Sequence, residues 1–274
     1  MTDGAWTGVP FSLPVPKIDA SVANTARAWN YLVGGKDNFE ADREAARQVV
    51  KVAPVVSVAA PASRAFLRRV VEYLVGPAAI EQFLDIGTGL PSAGNTHEIA
   101  QPLKPGCRVV YVDNDPVVLA HVRAQLTPFA GGMTSYIDAD AREPDAILSQ
   151  AGKTLDFAKP VAVMMVDLLN FIDDDDAAAS IVTEMMAAVP SGSYLALMHP
   201  ASDLDPALLA AERRWNQLAP QRVRLRSREQ VAAFLAGLDL VEPGLVTIAQ
   251  WRPVPGDPVR AQTIPFYAAV ASKP

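Results

Sequence analysis

The stretch Phe83–Ser92, FLDIGTGLPS, decides the fold. A short apolar run ends in Gly87 and Gly89, where the backbone can pass close to a ligand with no Cβ in the way. Downstream, NTHEIAQ starts a helix, with Asn95 and Glu98 spaced for a capping box around His97. Open parallel sheets bind ligands outside the carboxyl ends of their strands, where the strand order reverses. The glycine turn is therefore the place to look for a site.

Outward from that turn, short runs rich in valine, isoleucine and leucine alternate with helical segments. They are QFLDIG, RVVYVD, TSYID, VAVMMVD, SYLALM, LVTIAQW and FYAAVAS. Strands alternating with helices predict a mostly parallel sheet of seven strands, covered on both faces. The last two runs have no room for a helix between them, so they predict a C-terminal antiparallel hairpin, unlike the six parallel strands of a dinucleotide fold.

Upstream, residues 18–76 have helical periodicity. Val22, Ala26, Trp29 and Val33 share one face, and Gly34 stands at a C-cap position. Asp37 and Glu40 are spaced for a capping box opening a second helix through Val50, and a third is expected from Ser63 to Gly76. The expected organisation is a loose tail over 1–17, a helical cap or lid over 18–78 and a Rossmann-like α/β core over 79–274. There is no internal repeat.

The chain has 274 residues and is 50% hydrophobic, enough for a full-sized core. Its net charge of -6 and pI near 5.1 argue against a nucleic-acid partner. A lone Cys107 excludes a disulfide framework and a CxxC metal site, reads as a small buried hydrophobe and fits a reducing cytoplasm. MTDGAWTGVPFSLPVPK lacks the form of a signal peptide, and Val161–Val166 is too short to span a bilayer. No membrane partner is expected.

Ser92 stands where the third glycine of G-x-G-x-x-G would be, which argues against a nicotinamide enzyme. Asp85 could reach a ligand ammonium or orient the loop. Asp113, closing the second strand, can accept both hydroxyls of a ribose. Asp115 precedes Pro116 and reads as an N-cap. At the third strand end, Asp138 or Asp140 could accept from an adenine amine, with Asp140 favoured because Ala141 leaves room for a flat ring. YLVGGKDNF (Tyr31–Phe39) suggests a phosphate loop but has Asn30 and Asp37 where a Walker motif needs Gly and Ser or Thr. The acidic run Asp173–Asp176 lacks calcium-loop spacing and suits a helix N-terminus, so no metal is expected.

DIGTG, VVYVDNDP, DADAR and the closing hairpin resemble class I S-adenosylmethionine-dependent methyltransferases. More narrowly, NYLVGGKDNFEADREAA, RAFLRRVV, QFLDIGTGLPS, NTHEIAQ and VVYVDNDPVVLAHVRA resemble a bacterial family of S-adenosyl methyltransferases of unassigned acceptor, over nearly the whole chain. The resemblance implies S-adenosylmethionine as cofactor. It assigns Asp85, Gly87, Thr88 and Gly89 to the methionine end, Asp113 to the ribose, and Asp140 with Ala141 to the adenine, with Asn114 also expected at the cofactor. The resembled family tends to have a histidine where this chain has Asn170, which can orient a nucleophile but cannot take its proton.

Methyl transfer from a sulfonium chiefly needs alignment, plus a base if the acceptor is a hydroxyl or an ammonium. Asp167, also beside the cofactor, and His199 end the fourth and fifth strands as candidate bases, each with a structural role as the alternative; His97 could point at the cofactor loop but reads rather as a surface residue. His121 carries no signal. The expected acceptor is a small molecule, in a pocket shaped by a lid of Tyr31, Gly35, Lys36, Asp37 and Asn38. A homo-oligomer is compatible with the sequence. The competing expectation is a cofactor-binding regulatory or scaffold protein without catalysis.

Overall fold

Strands buried on both faces need apolar residues at every position, and the period of two then divides each run between two cores. The computed structural model, which describes residues 18–91, 94–118, 120, 133–254 and 263–274, has this arrangement. Phe83, Val109, Met164 and Met198 face one core, while Leu84, Val110, Met165 and Leu197 face the other.

Five parallel strands lead the sheet: β1 (Gln82–Ile86), β2 (Arg108–Asp113), β3 (Met133–Asp138), β4 (Ala162–Val166) and β5 (Tyr194–Pro200). Two very short strands, β6 (Asp239–Leu240) and β7 (Val246–Thr247), and the long β8 (Phe266–Ser272) complete it. The order is β3-β2-β1-β4-β5-β8-β6, with β7 paired to β8. β8 runs antiparallel to β5, β6 and β7, as the closing hairpin predicts. The strand count is eight, not seven. β6 escapes the sequence because it is two exposed residues defined only by pairing with β8.

α1 (Thr25–Leu32), α2 (Glu40–Val52), α3 (Val55–Val75) and α4 (Thr96–Leu103) pack with α7 (Pro206–Leu218) against the first core. α5 (Pro144–Ala151), α6 (Asp175–Ala187) and α8 (Arg228–Ala233) cover the other face. Two helix starts differ from expectation. α2 begins after Phe39, whose N–H donates to Asp42 at 2.8 Å, so Asp37 and Glu40 do not form its cap. α3 begins at Val55 and runs through Pro61, because the buried Ala59, Ala60 and Ala62 hold it in place despite the missing backbone donor. The tail over 1–17 and His121 lie outside the described residues.

Arg27 and Asp42, both buried, join α1 to α2 through a 2.8 Å ion pair. Asp42 also accepts from the backbone N–H of Asn24 at 2.8 Å. Cys107 is buried in the core. No single helix among the described residues is long and apolar enough to cross a membrane.

Candidate active site

Strand order reverses between β1 and β4, since β2 and β3 lie to one side of β1 while β4 and β5 lie to the other. A cavity of about 570 Å³ opens there, beneath α1, α2, α3 and α7. That size suits a cofactor with a small substrate.

The glycine turn forms its floor. Gly87 and Gly89 have φ of +76° and +63°, so a side chain at either position would be strained. A Cβ on Gly87 would fall 2.6 Å from Leu168, whereas one on Gly89 would project into open space. Asp113 organises this turn: one carboxylate oxygen accepts the Gly89 N–H at 2.8 Å and the other the Asp115 N–H at 2.9 Å. Burial pushes Asp113 up to about 6.

Asp85 is buried at the end of β1 and accepts from the Thr96 hydroxyl at 2.6 Å, which ties the strand to the start of α4. Burial raises it to about 6 as well, with the Thr96 bond and the nearby Arg64 charge pulling the other way. Asp115 caps its turn through a 2.7 Å bond from the Val117 N–H. Its other oxygen is buried with no hydrogen-bond partner among the described residues, and Asp115 lines the cavity.

Asp140 and Ala141 line the cavity, but Asp138 does not. Arg142 holds Asp140 through bonds of 2.8 and 2.7 Å, and Asn114 donates to it at 3.1 Å. The Arg142 hydrogen bonds lower Asp140 to about 2. Thr88 and Asn114 also line the space.

On the opposite wall, Asp167 stands just past β4 with φ +62°, a conformation rare outside glycine and tolerated best by Asp and Asn. Burial alone raises it to about 7. Asn170 is buried beside it. With its amide nitrogen turned to the acceptors around it, Asn170 donates to the Asp167 carbonyl at 3.2 Å and to Asp167 Oδ1 at 3.3 Å. The two residues expected to share a role are thus neighbours on one cavity wall.

His199 is not brought into this group. It is fully buried and does not line the cavity. Its Nδ1 bonds the Pro200 carbonyl at 2.9 Å and its Nε2 accepts from Arg226 at 3.0 Å. Burial lowers it to about 3, so the structural alternative describes it. Arg226 also donates to the carbonyls of Leu169 and Ile172 at 2.7 Å each, and to Asp175 at 2.9 Å. His199, Arg226 and Asp175 together brace the loop after β4. Asp174 caps α6 by accepting the Ala177 N–H at 2.8 Å, as the helix-terminus reading of the acidic run expects. No group of metal-ligating side chains occurs among the described residues.

The expected lid residues are arranged differently from expectation. None of Tyr31, Gly35, Lys36, Asp37 and Asn38 lines the cavity, whereas Asn30 does. Asn30 is buried, and its Oδ1 accepts from the Asp37 N–H at 3.0 Å and the Asn38 amide at 2.9 Å. The double glycine therefore wraps the chain around a cavity-wall asparagine. Sequence reasoning also missed Trp29, Arg64, Glu212 and Trp215, all of which line the cavity. Leu208, Ala211, Glu212 and Trp215 fall at helical spacing on one face of α7. One acid on an otherwise apolar face was the signal available for Glu212.

A parallel sheet closed by an antiparallel strand, with a glycine turn and buried carboxylates at its switch point, is the class I methyltransferase architecture. The family model described as S-adenosyl methyltransferase matches residues 13–274. The chain therefore belongs to the S-adenosyl methyltransferase family, whose cofactor is S-adenosylmethionine. It is similar to a DUF574 family protein from Streptomyces avermitilis, with 39% identity, 94% of this chain and 100% of that one covered, and a TM-score of 0.90. It is also similar to a protein from Thermobifida fusca described as a candidate methyltransferase, with 37% identity, 95% and 98% coverage, and a TM-score of 0.87. No curated protein matches the chain.

The residues present fit this cofactor. Gly89 leaves room for close backbone approach, and the unpartnered Asp115 oxygen offers an acceptor. Among the described residues the cavity wall carries Asp85, Asp113, Asp115, Asp140, Asp167 and Glu212 against Arg64 and Arg142, a balance that favours a sulfonium cation.

Proposed function

We propose that the chain methylates a small-molecule acceptor held in the half of the cavity under α1, α2 and α7, with residues 18–78 as its cover and Asp167 as the proton acceptor. When bound, S-adenosylmethionine supplies an electrophilic methyl group. Asp85 and the Gly87–Gly89 turn would receive its methionine end, Asp113 and Asn114 its ribose, and Asp140 with Ala141 its adenine. Asp113 then has two tasks, since its oxygens already hold the turn and retain lone pairs for hydroxyls.

The observation that carries this reading is Asp167. A carboxyl raised to about 7 on a cavity wall has the proton affinity suited to general-base work near neutral pH. Asn170 donates to it and so orients it without competing for the proton. Arg226 keeps the loop bearing both residues in one conformation through two backbone carbonyls.

Transfer of a tritiated methyl group from S-adenosylmethionine into a small-molecule fraction of cell extract tests the reading. Saturating S-adenosylhomocysteine should raise stability by about 2.7 kcal/mol at a hundredfold excess over Kd. Asp113→Ala should lose most of that gain while remaining folded. Normal cofactor binding without any label transfer would leave a binding protein and overturn the catalytic claim.

A further inference from the structure

The acceptor half of the cavity has a chemical character of its own. Trp29 from α1, Phe171 after β4, Trp215 from α7 and Phe266 from β8 all line the cavity. Trp29 and Phe266 pack with ring centres 6.4 Å apart. Trp215 donates its indole N–H to the Gln221 carbonyl at 2.8 Å, and the Gln221 side chain accepts from Thr25 at 2.7 Å. These contacts bring α1, α7 and the segment after α7 to one place. Flat apolar walls select a flat apolar guest.

Glu212, on the same face of α7 as Trp215, adds a carboxylate to this side. One of its oxygens accepts the Leu225 N–H at 2.9 Å, which fixes the carboxylate, and the Arg224 guanidinium, itself bonded to Asp175, also acts on its charge. The two basic residues of the cavity wall have acceptors of their own: Arg142 bonds Asp140 at 2.7 Å, and Arg64 donates to Asn95 at 3.2 Å. A carboxylate or phosphate on the acceptor would meet Glu212 and Asp167, while the two arginines of the wall are bonded to Asp140 and Asn95. An ammonium would meet Glu212 and aromatic faces, both of which attract it.

We infer that the acceptor is an amine carried on a flat, apolar skeleton, recognised by Glu212 together with Trp29, Phe171, Trp215 and Phe266. This deepens the methyl-transfer reading and rests on it. The ammonium gives one proton to the Asp167 carboxylate. The freed nitrogen lone pair forms the new N–C bond while the C–S bond breaks, and its electron pair stays on sulfur as a neutral thioether. The product is the N-methylated ammonium, so charge and atoms balance without a further reactant.

Three probes share an indole ring and differ in charge: tryptamine, tryptophol and indole-3-acetate. Their binding to the full chain is measured by calorimetry, with and without saturating S-adenosylhomocysteine. Tryptamine should bind about tenfold or more tighter than tryptophol, the ratio supplied by one charge-assisted hydrogen bond, and indole-3-acetate weakest. Glu212→Gln retains an acceptor for the Leu225 N–H and so should fold normally. It should erase the tryptamine advantage while leaving S-adenosylhomocysteine affinity unchanged. Absence of a tryptamine preference, including binding of none of the three, overturns the inference, as does an unchanged preference in Glu212→Gln. Failure of S-adenosylhomocysteine itself to bind counts against the cofactor reading instead, since the three probes are also compared without it.

Discussion

Asp167 is the residue proposed as base because three conditions meet in it. It ends a strand at the switch point, its backbone adopts φ +62°, and burial raises its carboxyl to about 7. As a base it works only when deprotonated, so kcat/KM should fall as pH drops below about 7. Asp167→Asn should lose about 10²–10⁴-fold in kcat/KM and the acidic limb of the profile with it. A variant within threefold of the parent would remove Asp167 from proton transfer. The position was legible because carboxylates at the ends of apolar strand runs stand out in sequence. The raised proton affinity was not, since desolvation is set by neighbours far along the chain. The same alternation that places Met198 on the cavity side turns His199 away from it, which is why a strand-end histidine is not a base here.

Among the elements, the turn after α1 shows how a motif can matter without touching ligand. Gly34 takes φ +82° to end the helix, and Gly35 lies against the Asn30 side chain. A Cβ on Gly35 would come within 2.5 Å of Asn30 Cγ and Oδ1. Gly35→Ala should therefore push a cavity-wall residue out of place, costing about 1–3 kcal/mol in denaturant unfolding and weakening acceptor binding. Lys36→Ala, exposed on the same turn, should stay within about 0.5 kcal/mol and bind normally. Equal effects of the two would mean the turn acts by direct contact and not through Asn30. The stop signal was legible in GG, but the object it encloses was not, because the contact depends on a side chain folding back five residues along the chain. Glu212 was hidden for a related reason: it lies over a hundred residues from the glycine turn, and only the packing of α7 brings it to the cavity.

Across the whole molecule, the sheet was legible because runs buried on both faces leave an uninterrupted apolar signature, while the charge balance of the cavity emerges only on assembly. That balance has a measurable consequence. Burial holds Asp85 and Asp113 at about 6 and Asp167 at about 7, above the ordinary carboxylate range. Between about pH 4 and 7 the folded chain therefore binds more protons at these sites than the unfolded chain, so their contribution to stability is lost as pH rises. Two histidines act oppositely. Burial lowers His199 to about 3 and also lowers His97, so the unfolded chain holds their protons below about pH 6.5 and stability gains as pH rises. Asp140, at about 2, titrates below this window. Three groups against two leave a net decline, so the urea-derived unfolding free energy of the ligand-free chain should fall from pH 5 to pH 7. Asp113→Asn should make that fall shallower. Saturating S-adenosylmethionine should also flatten it, because a bound cation favours the charged carboxylates. Stability that rises over the same interval would show that these carboxyls are not held protonated, and would remove the raised proton affinity on which the role of Asp167 as a base near neutral pH depends.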